Sequence, residues 1–140
     1  MTIHARPHGR FLAAEAGELA GVSGTTIGQW ARRGLISSSV SDDEPRVYSV
    51  EDVAEAAVVR ALRERGIRHA DVHRLIARLA EADYGRWPLS EAALATTTEP
   101  APRIVLREDS GDWVLTARGW QRPATPTAVR EVRLRLKRTA

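Results

Sequence analysis

Thr25, Thr26, Gln29, Arg32 and Arg33 fall within ten residues of one another in a stretch that reads as a helix. These side-chain types can do one recognisable kind of chemistry together. Glutamine can pair bidentately with adenine, threonine can bond a phosphate or touch a thymine methyl, and arginine can take either a base edge or a phosphate. Trp30 lies beside Gln29 and could either pack under the helix or stack against a sugar-phosphate edge. Further on, Arg46 and Tyr48 offer a cation and a hydroxyl, the ordinary pair for gripping a backbone phosphate. Each residue has a plainer reading as well. Arg32 and Arg33 could be a solvated helix end, Thr25 or Thr26 could cap the helix, and Tyr48 could be half core.

The elements that must position these side chains can be read from spacing and punctuation. Residues 13–20 read as a short helix stopped by Gly21, and Ser23 has the character of an N-cap before a second helix over 24–33, stopped by Gly34. Helix, short turn and helix make the helix-turn-helix plan. Residues 37–46 are polar and contain Pro45, so they read as a loop between two extended pieces, 35–36 and 47–48, as a small wing is built. Ser49 caps a third helix, with Glu51 and Asp52 in the first turn where carboxylates suit the helix dipole. Val53, Ala57, Val58, Ala61 and Leu62 give that helix one buried face, and Gly66 stops it. Val72, Leu75, Ile76 and Leu79 do the same for a fourth helix over 69–82.

Composition shifts after that. Residues 83–102 hold Trp87-Pro88, a threonine run at 96–98, Pro100 and Pro102, and are expected to be a linker. Residues 104–106 and 113–115 flank Ser110-Gly111 as a hairpin. Residues 129–137 alternate Val132, Leu134 and Leu136 with Arg133, Arg135 and Lys137, a pattern that suits a strand with one basic face. Residues 1–10 are expected to be a flexible tail.

The whole chain constrains the function class. With 43% hydrophobic and 28% charged residues in 140, it can build a core. Its formal net charge is only +3, and the nine arginines of residues 1–70 are matched by nine acids, so nucleic-acid binding must rest on particular positions and not on overall basicity. No apolar run is long enough for a membrane span, and no secretory leader is apparent. Cysteine is absent, which removes thiolate metal sites and suits a reducing cytoplasm. His69 and His73 have i, i+4 spacing but no third ligand nearby, His4 and His8 lie in the tail, and Asp42-Asp43-Glu44 suits a solvated loop, so neither metal nor cofactor is expected. There is no phosphate-binding glycine loop and no nucleophile elbow, so no enzyme is expected.

Five segments, in order, resemble the MerR family of transcription regulators. They stand in Ala20-Gly-Val-Ser-Gly-Thr-Thr-Ile-Gly-Gln-Trp-Ala-Arg-Arg-Gly-Leu-Ile36, then Arg46-Val-Tyr-Ser-Val-Glu-Asp-Val53, then Val59-Arg-Ala-Leu-Arg-Glu-Arg-Gly-Ile67. The resemblance covers about half of the chain. It implies a winged helix-turn-helix over residues 11–82 that binds double-stranded DNA as a homodimer through its second helix, with Arg46 and Tyr48 on the backbone. Two departures stand out. Gly28 occupies a position where the family often has arginine, and Trp30-Ala31 stand where it has Tyr-Glu. Pro100 and Pro102 also interrupt the long dimerising helix typical of such proteins.

The second half is similar, more loosely, to VapB-type antitoxins that begin with a MerR-like domain and inhibit a PIN-type ribonuclease. The residues concerned are Tyr84-Gly-Arg-Trp-Pro-Leu89 and Arg118-Gly-Trp-Gln121. That resemblance implies a toxin partner bound through residues 84–140. The expected fold is therefore mainly α with a small β region: a winged helix-turn-helix, then a β-rich segment over 103–140 serving dimerisation or partner binding. The expected function is transcriptional regulation in the bacterial cytoplasm at the nucleoid. The alternatives are an autoregulating antitoxin and an excisionase-like architectural protein.

Overall fold

The computed structural model describes residues 6–133. They form two compact units, divided within a helix after Arg60.

The first unit begins with a pair of short helices, α1 (Ala13–Ala20) and α2 (Gly24–Arg32). Their close turn depends on a residue without a side chain: a Cβ on Gly17 would lie 2.6 Å from the Val22 carbonyl oxygen. Ser23 caps α2 by accepting from the Thr26 amide at 3.0 Å. Ala16, Ala20, Ile27 and Trp30 face inward from the two helices. Leu35 and Ile36 follow them into the core, with the Leu35 amide donating back to the Trp30 carbonyl at 2.9 Å. This closing turn is why 35–36 is not the wing strand that the sequence suggested. Tyr48 instead pairs with Phe11, each amide donating to the other's carbonyl at 2.8 Å, and Val47 bridges to Ser41.

α3 (Val50–Glu64) follows, and its start is tied to the wing by one buried carboxylate. Ser49 and Asp52 cap reciprocally: the Asp52 amide donates to the Ser49 hydroxyl at 3.1 Å and the Ser49 amide donates to the Asp52 carboxylate at 2.9 Å. The same carboxylate accepts from the Ser39 amide and hydroxyl, both at 2.7 Å, and from the Ser37 hydroxyl at 3.1 Å.

In the second unit, from Ala61 on, the end of α3 is followed by α4 (His69–Glu81), the single-turn α5 (Pro88–Glu91) and a five-stranded antiparallel sheet in the order β4-β3-β2-β1-β5. The strands are β1 (Ala93–Thr97), β2 (Ile104–Glu108), β3 (Gly111–Thr116), β4 (Gly119–Gln121) and β5 (Val129–Glu131). The expected hairpin is β2–β3. The expected linker 83–102 is corrected: it contains α5 and β1, with Trp87 and Leu89 buried and Thr96 and Thr97 of the threonine run lying in an interior strand. Threonine is β-branched and suits a strand, a signal outweighed in the sequence by the flanking prolines. Of the expected strand 129–137, residues 129–131 form β5 and the Val132 amide continues the ladder to the Leu94 carbonyl at 2.8 Å; residues 134–137 lie outside the described residues.

Register assigns the two sheet faces. Leu94, Leu106 and Trp113 share one, over which α4 sends Arg74 to the Thr116 carbonyl at 3.2 Å and Arg78 to Glu108 at 3.2 Å. Ala95, Val105 and Val114 share the other, joined by Val129. The sheet's two edges, β4 and β5, are connected by residues 122–128. Four inter-strand steps of about 4.8 Å span about 19 Å, and so short a segment reaches about 26 Å at full extension. It must therefore cross the sheet almost directly. It does so over the Val114 face, where Pro123, Ala124, Thr125 and Thr127 line a cavity of about 320 Å³ with Arg103, Val114 and Thr116. Arg65 secures the β5 edge, donating to the carbonyls of Arg130 at 2.7 Å and Glu131 at 2.6 Å and to the Thr96 hydroxyl at 3.0 Å.

Replacing Asp52 by alanine would strand the buried donors of Ser49 and Ser39. Urea denaturation should show a loss of about 3 kcal/mol. Asp52→Asn, which keeps the shape but exchanges an acceptor for a donor, should fall between this variant and the parent.

Candidate nucleic-acid interface

The amphipathic division of α2 decides which of its side chains can meet a ligand. Ile27 and Trp30 are turned into the core, Trp30 being 5% exposed. Thr25, Gln29, Arg32 and Arg33 are exposed. The first three follow i, i+4, i+7 spacing, so they form a stripe of about 10 Å along one side of the helix. Thr26 is half-buried and serves the cap, its hydroxyl accepting from Ser23 at 2.9 Å.

An open groove of about 570 Å³ runs beside this stripe. Thr25, Gly28 and Arg32 form one wall, Leu12, Ala13 and Ala14 another, and Glu44, Pro45, Arg46 and Tyr48 close it from the wing. Gly28 lies on the same wall as Arg32. A Cβ there would approach the Arg32 guanidinium within 3.2 Å, so Arg32 folds back over the bare turn. The cation that residue 28 lacks is supplied one helical turn later.

The two wing residues singled out in the sequence have other partners here. Tyr48 is 1% exposed and belongs to the core. Burial pushes its hydroxyl above the ordinary 10.0, with the neighbouring Arg46 pulling the other way. The Arg46 side chain, 23% exposed, is held within its own loop. Its guanidinium donates to the Ser38 hydroxyl at 3.0 Å, lies 3.3 Å from Asp42 and reaches Glu44 at 3.4 Å, while Ser38 in turn donates to Asp42. The acidic loop thus neutralises the wing cation. The sequence hinted at this only through the i, i+4 spacing of Asp42 and Arg46. Trp30 and Tyr48 therefore lie beneath the surface, and of the residues singled out in the sequence Thr25, Gln29, Arg32 and Arg33 are the exposed ones.

Residues 12–79 match the family model described as MerR HTH family regulatory protein. This segment belongs to the MerR helix-turn-helix family. The MerR-type domain is that of a DNA-binding regulator. The match stops short of residues 84–140, and no comparison supports the antitoxin resemblance that the sequence suggested there. The chain matches no curated protein and no solved structure significantly. Among the described residues, no group of three or more histidines and carboxylates could hold a metal ion, and no helix is long and apolar enough to cross a membrane.

Two outcomes follow from the wing geometry. Asp42→Asn with Glu44→Gln should free Arg46 and remove two negative charges beside the groove. Fluorescence anisotropy should then show tighter binding to duplex DNA, on the order of tenfold at low salt and less as salt rises. Tyr48 also carries a pH signature. Above pH 10.0 the unfolded chain loses the phenolic proton while the folded chain keeps it, so stability falls as pH rises from there towards the folded-state value. Thermal melts of Tyr48→Phe should show a shallower alkaline decline than the parent.

Proposed function

We propose that this protein is a sequence-specific transcriptional regulator of the MerR type. It binds double-stranded DNA as a homodimer, with two copies of α2 in successive major grooves about 34 Å apart. The observation that carries this reading is the exposed stripe of Thr25, Gln29 and Arg32 on the α2 helix of a MerR-type domain. A major groove about 12 Å wide admits such a helix. Gln29 has the donor and acceptor needed for the adenine edge, Thr25 can meet a thymine methyl or a phosphate, and Arg32 and Arg33 bring two positive charges to the backbone. The groove beside α2 leaves room for a sugar-phosphate strand between the recognition helix and the wing.

Selection of genomic fragments by the purified protein at physiological salt, followed by footprinting, tests the proposal. An inverted repeat upstream of genes is the expected result. Enrichment no better than bulk DNA would overturn it, and sites confined to recombination junctions would assign the domain an architectural role instead. On the selected site, Arg32→Ala with Arg33→Ala should reduce the slope of log affinity against log salt by about 1.8, close to 0.9 for each phosphate that is no longer neutralised. Gln29→Ala should relax preference at a single base pair by about 1–3 kcal/mol.

A further inference from the structure

We propose that residues 6–12 form a pre-set basic arm that places Arg6 and Arg10 on the DNA phosphate backbone, as a second contact beside that of α2. The inference rests on the DNA-binding reading above.

Sequence alone suggests that residues 1–10 trail freely. From His8 on the structure corrects this, because the backbone there is anchored to the wing and to the start of α3. The His8 amide donates to the Glu51 carboxylate at 2.7 Å, and the His8 ring nitrogen Nδ1 lies 2.8 Å from the same oxygen. The Val50 amide donates to the His8 carbonyl at 2.7 Å. The chain then bends at Gly9, whose φ of +75° strains any other residue. A Cβ there would lie 3.0 Å from the Phe11 ring and 3.2 Å from Val50. Phe11 completes the anchoring through its two backbone bonds with Tyr48. Holding these residues in one path lowers the ordering cost of a later encounter.

The anchored arm carries cations that are not committed elsewhere. Arg6 and Arg10 are exposed, and neither makes a hydrogen bond or an ion pair with any described residue. No acid precedes Glu15 in the sequence. Arg46, on the wing, is by contrast neutralised by Asp42 and Glu44. The arm also starts at the right place. Leu12, which lines the groove beside Thr25 and Arg32, is 49% exposed. Arg10 is two residues away, so its Cα lies within about 7.6 Å of that of Leu12. The free cation of Arg10 thus lies close in sequence to one wall of the groove while Arg32 lines the other, and both add positive potential there. A duplex seated against Gln29 and Arg32 would bring its backbone along the arm, where guanidinium groups form charge-assisted bonds to phosphate oxygens.

The test compares the full chain, Arg6→Ala with Arg10→Ala, and Arg32→Ala with Arg33→Ala on one selected duplex between about 50 and 200 mM NaCl. At about 0.9 counterions per phosphate, removing two arginine–phosphate pairs should leave the arm variant about twelvefold less salt-sensitive than the parent across that range. Both arm residues are exposed and unpaired, so thermal melts should coincide with the parent's. Gly9→Val, which alters the path of the arm without altering charge, should weaken binding. Parental affinity and slope in the arm variant, alongside weakened binding in the α2 variant, would overturn the arm and leave the DNA-binding reading standing. A parent chain that binds no duplex would overturn both.

Discussion

The Asp52 carboxylate is the constraint on which the first unit depends. It is fully buried, and its charge is tolerable there because donors from two directions converge on it. The Ser49 amide comes from the α3 cap, and the donors of Ser37 and Ser39 belong to the serine-rich return from α2. One side chain therefore decides where α3 starts and how the wing loop leaves the core. The position of Tyr48, and through it of Phe11, follows, because Ser49 is the next residue. A polar loop with little apolar area could not be fixed by hydrophobic burial alone. Hydrogen bonding to a buried charge is the means available to it.

Within that frame, the electrostatic character of the surface is a matter of allocation. Nearly equal numbers of arginines and acids make the chain look weakly charged. Asp42 and Glu44 of the wing loop are committed to Arg46, and Glu51 to His8. Arg6, Arg10, Arg32 and Arg33 keep their full charge toward solvent. Exposed pairs such as Arg46 with Asp42 contribute little to stability. Their consequence is for the field, since a paired cation attracts a phosphate far less than a free one. The bare turn at Gly28 belongs to the same allocation, because it gives the Arg32 guanidinium a place over the helix instead of away from it.

The second unit solves a different problem, that of a sheet with two apolar faces. One face is covered by α4, with Arg74 and Arg78 bonding to the strands at their margins. Arg122, stacked 4.0 Å above the Trp113 ring, adds a cation–π contact at the hairpin end. The other face is crossed by a proline-containing segment. Proline suits that path because it has no amide to leave unsatisfied over an apolar surface. Arg65 occupies carbonyls of the β5 strand, an edge that would otherwise offer more of its backbone to another chain.

The four longer helices, α1 to α4, were legible in the sequence because capping residues, glycine stops and three-to-four periodicity are local and act over a single turn, whereas the single turn α5 was too short to show a period. The β2–β3 hairpin was legible for the same reason, its turn being adjacent to both strands. The exposed side chains of α2 could be named from residue type alone. Whether Trp30 and Tyr48 faced inward could not, because an aromatic side chain suits core and contact equally and only the packed neighbours choose. The pairing of Tyr48 with Phe11, the anchoring of His8 to Glu51 and Val50, and the direct crossing from β4 to β5 each join residues brought together by the fold. The sequence by itself determined the local elements and the chemistry available to them. Tertiary structure decided which side chains remained free to use it, since burial and ion pairing are properties of neighbours in space and not along the chain.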